Sequence, residues 1–124
     1  MSATIRVRAI RGATTAAEDT PEAITDRVQE LLAEVMAANH LVEDDVISVI
    51  FTATPDLVST FPATAARASG FGSVPLICAS EIAVPGATPR CLRVMLHVQT
   101  SLDTGDIRHI YLHGAKGLRD DLPG

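Results

Sequence analysis

Leu92-Arg93-Val94-Met95-Leu96-His97-Val98-Gln99-Thr100 alternates with a period of two. Leu92, Val94, Leu96 and Val98 make an apolar face, while Arg93, His97 and Gln99 share the other face with Met95. Successive side chains of a strand point to opposite sides of the sheet, so this pattern predicts a strand with one covered face and one open face. A sheet built on it needs a layer of helices on the covered side and leaves an arginine on the other.

The flanking segments supply the remaining elements. Thr4–Arg11 reads as a strand, with Ile5, Val7 and Ala9 on one face and Arg6 and Arg8 on the other. The expectation is that Ile5, Val7 and Ala9 form the buried face. Arg11 falls in phase with them at the strand end, a costly place for a guanidinium unless it is paired. Asp19-Thr20-Pro21-Glu22 starts a helix, with Asp19 or Thr20 as N-cap and Pro21 in the first turn. Ile24, Val28, Leu31, Leu32, Val35 and Met36 follow at helical spacing, and Asn39-His40 ends the helix. His40 reads as a helix C-terminal histidine near the negative dipole end and not as a ligand. Val46–Thr54 is rich in β-branched residues and predicts a strand buried on both faces, closed by Pro55. Phe61-Pro62 opens a short helix through Ala68, stopped by Gly70. Val74–Ala79 reads as a third strand and Val84–Pro89 as a loop. Past Thr100, Asp103–Ile107 reads as a turn. Arg108–Leu112 reads as a final short strand, with His109, Tyr111 and His113 sharing a face. The order β-α-β-α-β-β-β predicts an α+β fold, a mixed sheet with helices packed on one face.

Composition narrows the function. The chain has 124 residues and a formal net charge of −5, which predicts a single domain spanning 1–124. About two-thirds of the unfolded surface is buried at this size, enough for a core without staples. The acidic balance opposes a general nucleic-acid binder. The only phenylalanine, tyrosine or tryptophan rings are Phe51, Phe61, Phe71 and Tyr111, too few for a base-stacking platform. No apolar stretch is long enough to span a bilayer. The N-terminal residues show no signal-peptide h-region. Cys78 and Cys91 form no disulfide framework and no zinc ribbon, so a reduced, cytoplasmic setting is expected. Lys116 is the only lysine among ten cations. A GC-rich genome would give such a bias with no functional meaning, so position must decide which arginines matter.

The common catalytic signatures are missing. His109 and His113 are four apart, a chelating spacing on a helix, but on a strand they would stand about 13 Å apart. Metal binding is therefore not expected. Gly70-Phe71-Gly72 lacks the third glycine of a dinucleotide fingerprint, and there is no P-loop and no Gly-x-Ser-x-Gly elbow. Cys78 inside an apolar strand reads first as an inert core thiol. What remains is a polar array at or near strand ends: Arg11, Glu81, Arg93 and Tyr111. It suits a small anion bearing carboxylates and a hydroxyl. The residues alone stop there, at a small-carboxylate binder or enzyme.

Longer strings go further. Ile10-Arg11-Gly12-Ala13-Thr14-Thr15, Ala53-Thr54-Pro55-Asp56-Leu57 and Phe61-Pro62-Ala63 occur in that order. Val74-Pro75 with Cys78 and Glu81, Cys91-Leu92-Arg93-Val94-Met95 through Val98-Gln99-Thr100, and Ile107-Arg108-His109-Ile110-Tyr111-Leu112 follow. Over almost its whole length the chain resembles the AroH class of monofunctional chorismate mutases. The resemblance implies a homotrimer with a pseudo-α/β-barrel fold and active sites in clefts between subunits. It implies a Claisen rearrangement of chorismate to prephenate, toward phenylalanine and tyrosine, with no cofactor.

The same resemblance assigns roles. Arg93 matches the arginine that donates to the substrate's ether oxygen and a carboxylate, and Arg11 a second arginine that binds a carboxylate. Glu81 matches a carboxylate that accepts from the substrate hydroxyl, with Cys78 donating or packing nearby. Tyr111 matches a ring whose hydroxyl helps hold a carboxylate. Phe61, Ala63, Arg67, Leu118 and Arg119 match the pocket rim. Two positions depart from the pattern: Thr64 stands in place of a rim lysine and Ile77 in place of a threonine. The loss of a rim cation is expected to weaken binding more than chemistry. Two other readings stay open. One is an imine deaminase-like trimeric enzyme, which also uses an arginine for a carboxylate. The other is a non-catalytic trimeric sensor of carboxylate metabolites, kept open by Thr64.

Overall fold

The computed structural model describes residues 4–118. Its regular elements are β1 (Arg6–Thr15), α1 (Pro21–Ala38), β2 (Val46–Ala53), α2 (Pro62–Ala68), β3 (Leu76–Ser80), β4 (Cys91–Thr100) and β5 (Ile110–Tyr111). One mixed sheet holds the strands in the order β3-β2-β4-β1-β5. β4 runs antiparallel to both β1 and β2, while β3 lies parallel to β2 and β5 parallel to β1. The long alternating strand is thus the centre of the sheet, where both edges of its backbone are paired.

The helices form as their ends dictate. Thr20 caps α1, its Oγ1 accepting from Ala23 N at 3.1 Å, and Pro21 occupies the first turn. At the far end His40 adopts φ 55°. Its N–H donates to Ala37 O and that of Leu41 to Met36 O, the two bonds of a Schellman cap. A histidine therefore takes the left-handed position that glycine usually fills. Asn39, 1% exposed, donates to Val35 O and Arg108 O and accepts from Arg108 N at 2.8 Å. This buried amide ties the end of α1 to the chain entering β5.

Both helices cover one face of the sheet. Ile24, Val28, Leu31, Leu32 and Val35 pack with Ile10, Val49, Phe51, Leu92, Val94, Leu96 and Val98 in one core. Gly12 lets the helix layer approach closely here: a Cβ would sit 3.1 Å from Val94 Cγ2 and 3.2 Å from Leu31 Cδ1, tighter than ordinary contact. The expected face of β4 is thus the covered one. The expected face of β1 is reversed. Ile10 is buried against the helices, whereas Ile5, Val7 and Ala9 stand on the open side. Arg11, in phase with them, is placed toward the open face rather than the core, which removes the cost of burying it unpaired. β2 is buried on one side only, with Val49 and Phe51 inside and Ile50 exposed on the other face. The open face consequently exposes large apolar side chains beside its polar ones: Ile5 and Val7 are 62% and 58% exposed, Ile77 62% and Met95 36%. β5 is shorter than the expected 108–112. His113 turns out of the strand at φ 52° and pairs with Glu30 at 2.8 Å, so it does not share a strand face with Tyr111.

Thr14 lies wholly within the core with no hydrogen-bond partner for its hydroxyl. A buried unsatisfied hydroxyl costs about 1–3 kcal/mol, and valine has the same shape without it. Thr14→Val is expected to raise stability by about 1 kcal/mol, read as a higher midpoint in denaturant at unchanged slope.

Candidate active site

The open face carries a cavity of about 400 Å³ lined by Arg11, Gly12, Ala13, Ile50, Thr52, Glu81, Arg93, Val94, Met95 and Tyr111. Strand pairing assembles it. Ala13 on β1 and Thr52 on β2 are both Cα partners of Arg93 on β4. Tyr111 on β5 is the Cα partner of Ala13. Arg11 lies two residues before Ala13, so its side chain falls on the same face. Its backbone N–H donates to His109 Nδ1 at 3.0 Å, which fixes Nδ1 as the acceptor nitrogen of that ring. Glu81 follows β3 directly, held by its N–H to Ala53 O at 2.9 Å. The four polar residues expected at strand ends thus line one cavity, although they come from widely separated parts of the chain.

The central contact is between Arg93 and Glu81. Arg93 Nε lies 2.7 Å from Glu81 Oε1. The Nε atom is buried, yet its N–H is not directed well enough to count as a hydrogen bond. The contact is therefore an ion pair without hydrogen-bond alignment. Thr52 Oγ1 donates to the same Oε1 at 2.9 Å. With the Arg93 and Glu81 side chains 43% and 25% exposed, solvent screens the pair, and it contributes little to stability.

Other expected site residues stand elsewhere. Cys78 and Phe61 line a second cavity of about 520 Å³, with Ala53, Thr54, Pro55, Leu57, Val58, Ser59, Thr60 and Pro62. Cys78 is the Cα partner of the buried Phe51 and packs against the core, which turns it away from the Arg93 face. Ala63 is buried in α2, while Thr64 and Arg67 are exposed on it. Ile77 is exposed beside Ile50, its Cα partner. Leu118 is half-buried, its N–H donating to Ala115 O at 3.1 Å. Arg119 lies outside the described residues. Among the described residues no group of three or more His, Cys, Asp or Glu is placed to hold a metal.

The segment lining the second cavity is tied down by two carboxylates. Asp19 Oδ1 accepts from Val58 N at 3.0 Å and Ser59 N at 3.1 Å, with Ser59 Oγ at 2.6 Å. Asp56 accepts from Thr54 Oγ1 and from Arg90 N. Arg90 holds φ 47°, and its Nε donates to Ala16 O. Hydrogen bonds, from Ser59 above all at Asp19 and from Thr54 above all at Asp56, hold both carboxyls below their ordinary range. A depressed carboxylate contributes stability that is present above its unfolded pKa and lost as pH falls through its folded pKa. Thermal stability is therefore expected to fall below about pH 4. Asp19→Asn is expected to flatten that fall while lowering the plateau at neutral pH. Cys91 differs: burial, the largest effect, pushes its thiol up, so it is an inert core residue.

Thr52, Ile50 and Asp19 as a loop anchor were not legible in the sequence as parts of this region. Thr52 sits just before the Ala53-Thr54-Pro55 string, but only the register of β2 against β4 shows it beside Arg93.

An open sheet face with two arginines, a carboxylate and a phenol around one cavity offers the donors and the acceptor that a small anion bearing carboxylates and a hydroxyl would need. Residues 7–122 match the family Chorismate mutase type I, and the chain belongs to that family. It is 48% identical over 117 residues to chorismate mutase AroH of Thermus thermophilus, covering 94% of this chain and 96% of that one. It is 44% identical over 117 residues to chorismate mutase AroH of Bacillus subtilis, covering 94% and 92%. A solved structure of a chorismate mutase from Clostridium thermocellum superposes with a TM-score of 0.86 at 52% identity, covering 88% of this chain and 97% of that one.

Proposed function

We propose that this protein rearranges chorismate to prephenate in the route to phenylalanine and tyrosine. The reaction is a concerted Claisen rearrangement: the ether C–O bond breaks as a C–C bond forms, with no group gained or lost. Such a step needs no nucleophile and no proton transfer. It needs the floppy dicarboxylate held in its compact reactive conformer, and donors placed where the ether oxygen gains negative charge in the transition state. The observation that carries this reading is the convergence of Arg93, Glu81, Arg11 and Tyr111 on one 400 Å³ cavity.

On this reading the terminal nitrogens of Arg93 donate to the ether oxygen and a carboxylate. Arg11 and Tyr111 hold carboxylate oxygens, and Glu81 accepts from the ring hydroxyl. The second cluster, with Phe61 and Cys78, belongs to the neighbouring subunit's site. Two features support a homotrimer with shared sites. The open sheet face exposes Ile5, Val7, Ile77 and Met95, an apolar surface that association would cover. The two clusters of expected site residues also line separate cavities of one chain, so a complete site takes one from each of two subunits. Thr64 and Arg67, exposed on α2, then stand at the rim, where Thr64 supplies no cation. Both described cysteines are free, in keeping with a reducing, cytoplasmic setting. No described helix is long and apolar enough to cross a membrane.

The test is the loss of chorismate's ultraviolet absorbance, with prephenate identified as the product. The absence of any rate above background would overturn the assignment. Tight binding without turnover would favour a sensor instead.

A further inference from the structure

We propose that Thr52 is a positioning residue for Glu81, holding the carboxylate so that one oxygen receives the substrate hydroxyl instead of both closing into a two-pronged pair with Arg93. The proposal rests on the chorismate reading above. Glu81 lies just past the end of β3, and its backbone is held there by the bond to Ala53 O. Its side chain is oriented by two contacts, both on Oε1: the Thr52 hydroxyl at 2.9 Å and Arg93 Nε at 2.7 Å. The hydroxyl contact is a hydrogen bond, while the arginine contact lacks alignment.

That imbalance has a consequence. A carboxylate beside a guanidinium ordinarily settles into a two-pronged pair, with both oxygens facing two N–H groups. Such a pair would occupy the donors needed by the substrate's ether oxygen and carboxylate, and the acceptor needed by its hydroxyl. Thr52 opposes this closure by donating to Oε1 from the β2 side. It is well placed to do so, because Thr52 and Arg93 are Cα partners across β2 and β4 and Thr52 lines the same cavity. Oε2 is the oxygen the proposal assigns to the substrate hydroxyl. On this proposal Thr52 acts on the reaction through Glu81.

The matched variants are Thr52→Val, which keeps the β-branched shape and removes the hydroxyl, and Thr52→Ser, which keeps the hydroxyl. Thr52→Val is expected to lower kcat/KM for chorismate about tenfold or more, the scale of one hydrogen bond to a charged group. Thr52→Ser is expected to stay within about threefold of wild type. Adding Thr52→Val to a Glu81→Ala background is expected to change nothing further, because the two residues act as a unit. A purely structural effect of Thr52→Val would persist in that background. The proposal is overturned if Thr52→Val matches wild type, or if its loss is undiminished in Glu81→Ala. An inactive wild type overturns the chorismate reading and this proposal together, whereas an active wild type with an unaffected Thr52→Val overturns this proposal alone.

Discussion

Arg93→Ala is expected to lower kcat for chorismate by at least about a hundred- to a thousandfold, the effect of removing one preorganised donor from a developing oxyanion. Two features make this position the most sensitive. Arg93 sits on the central strand, paired on both sides through Ala13 and Thr52, so its backbone is fixed before substrate arrives. Its Nε is already buried and beside Glu81, so the stem of the side chain is in place before substrate arrives. Alanine removes the donors and also leaves Glu81 without its cation in a cavity that must accept a dianion. Arg93→Lys is expected to be severely impaired as well, because a point ammonium cannot span an ether oxygen and a carboxylate as a planar fork does. The measurement is kcat and KM by chorismate absorbance, with thermal melts as a control for folding. Near-wild-type turnover in Arg93→Ala would remove the electrostatic account of the site.

Val7→Glu is expected to abolish both trimer and activity, although Val7 lies far from the cavity. Val7 is the Cα partner of Gln99, while Ala13, six residues along β1, is the Cα partner of Arg93, a separation of roughly 20 Å. The side chain is 58% exposed in the single chain, so glutamate costs the subunit's own fold little. In a trimer that covers this face, an unpaired carboxylate would be buried at a cost of several kcal/mol per ion. Light scattering should report monomer at micromolar concentration, and turnover should fall with assembly if, as proposed, each site takes residues from two subunits. A monomer that keeps full activity would oppose the shared site, and a trimer unaffected by the charge would place the interface elsewhere.

The contrast between Val7 and Val94 shows how far period-two patterns carry. In β4 one face is uniformly apolar and the other holds Arg93, His97 and Gln99, so the alternation identifies the covered side as well as the pairing of faces. In β1 the helix-facing residues are Ile10, Gly12 and Thr14, and the open side holds Val7 and Ala9, with Ile5 exposed just before the strand. The more apolar face is the open one. Alternation groups those residues correctly but cannot say which side the helices take, and hydrophobicity points the wrong way when the open face is itself apolar. The same ambiguity makes Val46–Thr54 read as buried on both sides. Arg11 is affected directly: its phase, a puzzle while Ile5, Val7 and Ala9 are taken as core, is ordinary once they are not.

By itself the sequence determined the kinds and order of the elements, the capped ends of α1, and the residue types suited to a small dicarboxylate. Its ordered strings determined the family. The tertiary structure alone decided which expected residues share a cavity: Arg11, Glu81, Arg93 and Tyr111 line one, while Cys78 and Phe61 line another. It alone decided that Thr52 stands beside Arg93 and within hydrogen-bond reach of Glu81. The reason is physical. Local pattern fixes how each strand's side chains divide between two faces, but which side chains meet depends on register and on the side the helices cover. Both are set by the packing of whole strands against one another.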